Sequence, residues 1–148
     1  SRTYQKYEYI KKHDLLNESH GDIYKAIDTL IAYVKADPIS TYCHYDFSSS
    51  NIFATKPLTV FDPDCMFNHP IIDVGRTILI NISKHHTIPE VADQVLEGYY
   101  GKESFDRKAV QASILFNTYT KFEYWHGKAS PRIADVQKYL QDTRHYLD

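Results

Sequence analysis

The stretch His44-Tyr45-Asp46-Phe47-Ser48-Ser49-Ser50-Asn51 sets an acid and an amide five residues apart, and Asp62-Pro63-Asp64 adds two carboxylates, the first eleven residues beyond the amide. Phosphoryl transfer uses groups in that order: a base for the acceptor hydroxyl, an amide oxygen for magnesium, then a carboxylate for magnesium. The reaction asks a protein for placement and charge neutralisation more than for covalent work. Asp46 suits the base that takes the hydroxyl proton and holds its oxygen in line. Asn51 and Asp62 suit magnesium, which favours hard oxygen donors and keeps room for substrate phosphates and water. Asp64 suits a second metal reached through water. His44 suits a hydrogen-bonding role that orients the loop. The rival account is loop capping, because Asp and Asn favour turns by bonding nearby backbone.

Positioning these groups falls to a hairpin. Residues 51–55 and 58–61 have strand composition, and Lys56-Pro57 between them reads as its turn. A hairpin returns its ends to one place, so Asn51 and Asp62 are expected to be neighbours. Around it the chain reads as helical. Residues 4–13 suggest a short helix or an incoming connection, and Ser19-His20-Gly21-Asp22 reads as a capping box. Ile23, Ala26, Ile27, Leu30, Ile31 and Val34 then share one helix face, which Asp37-Pro38 ends. Ile71, Val74, Ile78, Leu79 and Ile82 mark a second helix. Pro89 opens a third, with Val91, Val95, Leu96 and Tyr99 inward and Gly101 as its stop. Residues 106–126 form a long helix, apolar on more than one side and hence central. Ser130-Pro131 caps a last one, with Ile133, Val136, Leu140 and Leu147 facing in. The expected class is α+β, mostly α-helical, with one small hairpin, in a single domain over residues 1–148.

Three segments together resemble the aminoglycoside phosphotransferase and choline kinase superfamily. They are residues 44–53, then Val60-Phe61-Asp62-Pro63-Asp64, then Asn68-His69-Pro70-Ile71-Ile72-Asp73-Val74-Gly75-Arg76. In that family these correspond to the catalytic loop, a metal-binding loop and a Gly-Asp-Pro-x-x-Asp-Leu-Ala segment that starts a helix. The resemblance implies the C-terminal lobe of a protein-kinase-like fold, with Asp46 as catalytic base and Asn51 and Asp62 as Mg2+ ligands. It implies that Asp73 is the buried acid that braces the catalytic loop. ATP or another nucleoside triphosphate would be the donor, and a small-molecule hydroxyl compound the acceptor. The acceptor pocket would be walled by C-terminal helices, where Glu123 and Trp125 are candidates, the ring offering cation–π contact. Trp125 reads more readily as a core residue than as an acceptor contact. The matching core spans about residues 40–80. The chain departs from the family at Tyr45, where glycine is usual, at Ser48-Ser49-Ser50 and at Asn68-His69, where Gly-Asp is usual. Nothing before His44 reads as a glycine-rich phosphate loop or an ATP lysine, so an N-terminal nucleotide lobe is expected upstream as the missing partner.

Other candidates carry less. His20-Gly21-Asp22 spells the family triplet more literally than His44-Tyr45-Asp46, yet five residues past Asp22 stands Ile27, not an asparagine. His85-His86 and His126 have no partners at zinc spacing and read as surface histidines. Cys43 and Cys65 read as free thiols flanking the acidic motif.

The 148 residues are 43% hydrophobic and 24% charged with net charge −2, so a sizeable core is affordable and no basic face invites nucleic acid. No apolar run reaches the roughly 18 residues that span a bilayer, and a cytoplasmic protein without a membrane partner is expected. Two rival functions stand beside the phosphotransferase: a non-catalytic, pseudokinase-like binding module, and a metal-dependent phosphohydrolase built on His44, Asp46, Asp62 and His69.

Overall fold

The computed structural model describes residues 21–82 and 87–126. Over these the chain is mostly helical α+β, with four helices and two small antiparallel sheets. Helix α1, Gly21–Ala36, buries Ile27 and Leu30 completely, with Ala26, Ile31 and Val34 half-buried against the same core. It ends where the Asp37 N–H closes onto the Tyr33 carbonyl at 3.1 Å and Pro38 follows. The expected cap at Ser19, the segment 4–13 and the helix after Ser130-Pro131 lie outside the described residues, as do His85 and His86.

Two ladders follow, one nested inside the other. The outer joins β1, Thr41–Cys43, to β4, Met66–Asn68, in the register Thr41↔Asn68, Tyr42↔Phe67, Cys43↔Met66. The inner joins β2, Ile52–Phe53, to β3, Thr59–Val60, in the register Ile52↔Val60, Phe53↔Thr59. The inner ladder is the expected hairpin, with each strand only two residues long. The outer ladder corrects the expectation of a single hairpin. It ties the two ends of the whole 44–65 segment together, so the loop and the hairpin issue from one base.

Helix α2, Pro70–Ile80, starts at His69 and buries Ile71, Ile72, Val74, Gly75, Ile78 and Leu79. Helix α3, Ile88–Tyr100, opens on a capping box in which Thr87 and Glu90 bond reciprocally, and stops at Gly101 with φ 60. Its inner face is Ile88, Val91, Ala92 and Leu96. Tyr99, expected inward, is 51% exposed, because Ala92 and Ile88 take the positions nearest the core.

Helix α4, Arg107–His126, is buried on every side from Ala109 through Thr118. It packs against both α1 and α2. At its crossing with α2, a Cβ on Gly75 would stand 2.6 Å from the Ser113 carbonyl carbon and 2.8 Å from the Ile114 nitrogen. Only glycine permits that approach. It lets Ser113 donate to the Ile71 carbonyl at 2.6 Å and Asn117 donate to the Ile72 carbonyl at 3.1 Å. Each such buried bond contributes about 1 kcal/mol and would cost more if left half-made. No described helix is long and apolar enough to cross a membrane.

Candidate functional site

The loop between β1 and the hairpin is held from three directions. The first is its own histidine. The His44 Nδ1 accepts from the Asp46 N–H at 3.3 Å, which leaves Nε2 to carry the proton and donate to the Phe61 carbonyl at 3.1 Å. His44 thus joins the loop to the end of β3, and its ring meets Phe47 edge-on at 5.5 Å.

The second is α2. Tyr45 has φ 62, in the left-handed region where a glycine stands without strain. For a tyrosine this costs about 1–2 kcal/mol. Four contacts hold it there. Asp73 Oδ1 accepts from the Tyr45 N–H at 2.9 Å, and Arg76 Nε donates to the Tyr45 carbonyl at 3.2 Å. The Arg76 guanidinium lies 4.8 Å from the centre of the Tyr45 ring, and the ring itself is buried in the core. Burial pushes the Asp73 carboxyl up, opposed by the Tyr45 N–H, by His44 and by Arg76. At the far end of α2, Asn81 donates to the carbonyls of Phe47 at 2.9 Å and Thr77 at 2.8 Å, and accepts from the Ser49 N–H at 3.0 Å. The grips of Arg76 and Asn81 escaped the sequence reading. A polar residue at a helix end was the signal for Asn81, and nothing local announced the role of Arg76.

The third is Asn51. It sits buried in a 3-10 turn, Ser49–Asn51, and its Nδ2 donates to Asp46 twice, to the carbonyl at 2.9 Å and to Oδ2 at 3.0 Å. The Asn51 carbonyl accepts from the Phe61 N–H at 3.1 Å, so the hairpin delivers Asp62 one residue beyond that bond. Asp62 has φ 53 and is exposed, as is Asp64.

Asp46 and Asn51 are therefore in contact, and Asp62 follows directly from the strand that closes on Asn51. With Nδ2 committed to Asp46, the Asn51 amide oxygen is the atom left for a metal. The Asp62 carboxylate, one residue past the strand that pairs with Asn51, is a second hard oxygen donor on the same hairpin base. That donor set fits magnesium, which takes few protein ligands when phosphates complete its shell. Among the described residues no three His, Cys, Asp or Glu side chains cluster to hold a metal ion.

The residues of the hydrolase reading, His44, Asp46, Asp62 and His69, form no such cluster. Both His44 nitrogens are engaged. His69 is the N-cap of α2: its Nδ1 accepts from the Ile71 N–H at 3.1 Å, and its buried Nε2 lies 3.8 Å from Asp37 Oδ2. Burial pulls its pKa below the ordinary value, against the pull of Asp37. His69 thus caps α2 with its ring nitrogen. The decoy Asp22 falls in the first turn of α1 and Ile27 in its core face, and no hairpin follows. Glu123 and Trp125 lie in the last turns of α4, and their side chains, like that of His126, are outside the described ones. Cys43 is buried and Cys65 exposed, both free, and burial pushes the Cys43 thiol up.

Beside the loop, a recess of about 520 Å³ opens between α2 and α3, with Phe47 and Asp73 in its wall. No family model, no curated protein and no solved structure matches the chain.

Proposed function

We propose that this chain is the catalytic and acceptor-binding lobe of an ATP-dependent, magnesium-dependent phosphotransferase of the aminoglycoside phosphotransferase and choline kinase type. It would move a γ-phosphate to a hydroxyl of a small molecule. The observation that carries the reading is the pair of hydrogen bonds from Asn51 to Asp46, at 2.9 and 3.0 Å, on a residue whose carbonyl accepts from Phe61, next to Asp62. One side chain then sets the base and presents an oxygen beside the second acid. In this reading Asp46 receives the acceptor proton, Asn51 and Asp62 hold Mg2+, Asp64 assists through water, and His44 and Asp73 keep the loop in shape. The bound ion would neutralise phosphate charge. The nucleotide-covering lobe would come from elsewhere in the natural gene product or from a partner chain.

The test is an acceptor screen of the full natural gene product with Mg-ATP, read as ADP release, beside Asp46→Asn. Turnover should fall by about 10²–10⁴ in the variant, the usual weight of a general base, while Mg-ATP affinity stays within twofold or so of the parent. Asn51→Ala and Asp62→Ala should weaken Mg-ATP binding itself. Nucleotide binding without turnover in the parent would turn the assignment to the pseudokinase-like binding module. No magnesium-dependent nucleotide binding at all would sink both.

A further inference from the structure

The recess between α2 and α3 is more than a by-product of packing. Its volume, about 520 Å³, lies in the range of small-molecule sites. Val74 and Val95 form apolar walls, while the rings of Phe47 and Tyr99 stand 37% and 51% exposed at its edge. Apolar rings facing water around a concavity mark a binding place rather than a core. Thr77 and Gln94 add neutral polar groups, and among the described residues the single charged one in the lining is Asp73. Among the described residues no lysine, arginine or histidine takes part.

Gly98 supplies a second, independent sign. It lies inside α3 and lines the recess, and a Cβ built on it would meet nothing within 4 Å. Neither a positive φ nor a close neighbour requires glycine there. Glycine weakens a helix interior. What its bareness preserves is room in the recess.

We infer that this recess is a ligand site for a compact aryl or branched-alkyl molecule whose polar head is neutral or cationic, and that its occupant bears on the loop carrying Asp46. An anionic head would face the Asp73 carboxylate with no cation among the described lining residues to offset it. A hydroxyl or amine would find Thr77, Gln94 and Asp73 as partners. The occupant would touch Phe47, which follows Asp46 and whose carbonyl Asn81 holds, and Asp73, which holds the Tyr45 N–H on the other side of Asp46. The site stands whether or not the loop transfers phosphate.

The experiment is an NMR titration of the full chain, without nucleotide, with three probes that share a phenylpropyl body: 3-phenylpropan-1-ol, 3-phenylpropylamine and 3-phenylpropanoate. The alcohol and the amine should give saturable shifts centred on Phe47, Val95, Gly98 and Tyr99. The propanoate should bind at least about tenfold more weakly. Gly98→Leu, which fills the space and strengthens the helix, should weaken the alcohol by about tenfold or more without lowering the melting temperature. Gly98→Ala should retain most of the binding. Equal binding of all three probes, binding indifferent to Gly98→Leu, or no saturable shift would overturn the inference.

Discussion

The segment between the outer strands divides into two regions of opposite character. The loop, residues 44–51, has its backbone gripped from outside by Asp73, Arg76 and Asn81, all on or capping α2. The hairpin, residues 52–60, is held by its own short ladder and by local bonds such as that of Thr55 to the Pro57 carbonyl at 2.8 Å. Phe53, Leu58 and Val60 stand exposed on it. The loop is thus preorganised and the hairpin is not, although both issue from the same outer ladder. The proposed phosphotransferase would use that difference: a base must be placed before it is useful, whereas a metal loop would complete itself only when phosphate and ion arrive.

Substitutions can break that contrast. Asp73→Ala removes the acceptor from the Tyr45 N–H and leaves that donor buried. It should cost about 2 kcal/mol by urea unfolding and disorder the loop amides in NMR. A cost below about 0.5 kcal/mol, the level of a surface change, would mean that α2 does not support the loop. Arg76→Leu keeps apolar cover over Tyr45 but loses the bond to its carbonyl. A loss of about 1 kcal/mol is expected, and Tyr45→Gly, which relieves the left-handed strain but also removes a ring buried in the core, should cost more alone than in the Arg76→Leu background. An additive double variant would show that Arg76 does not offset that strain.

The pH dependence sharpens the same comparison. His69 caps the helix that supports the loop, and its folded pKa is depressed below 6.5 by burial. The unfolded chain therefore binds the proton first as pH falls, so this contribution is present above 6.5 and is lost as pH drops towards the folded value. Asp73 acts with the opposite sign. Its folded pKa is raised above 3.8, so its buried charge is relieved, and the fold favoured, as pH falls through that raised value. Stability should decline on acidification from pH 7.5 to 5.5, and His69→Asn, a cap that does not titrate, should flatten the decline. An unchanged slope in that variant would remove His69 from the account. The smallest effect belongs to the hairpin: Leu58→Ser should change stability by no more than about 0.5 kcal/mol. A larger loss would show that the hairpin is covered after all.

Much of this was legible. Lys56-Pro57 between two β-branched or aromatic runs located the hairpin, and a hairpin alone brings Asn51 to the residue before Asp62. Helical period placed Ile71, Val74, Ile78 and Leu79 in the core, where they lie. The outer ladder was not legible, because three-residue strands have no period and their partners stand far apart in sequence. Nor was the φ of Tyr45, since tyrosine is no signal for a left-handed turn and the residues that impose one come from α2. Tyr99 misled because an aromatic at helical spacing can serve a recess as well as a core.

The crossing at Gly75 has a mechanical consequence. With the backbones of α2 and α4 in near contact and Ser113 and Asn117 bonded across the seam, no layer of side chains is left to slide. The two helices form one rigid plate, and the loop is bolted to its edge. Whatever moves when a ligand arrives must therefore move outside that plate, where the hairpin lies, tied to the loop through Phe61 rather than to the helices.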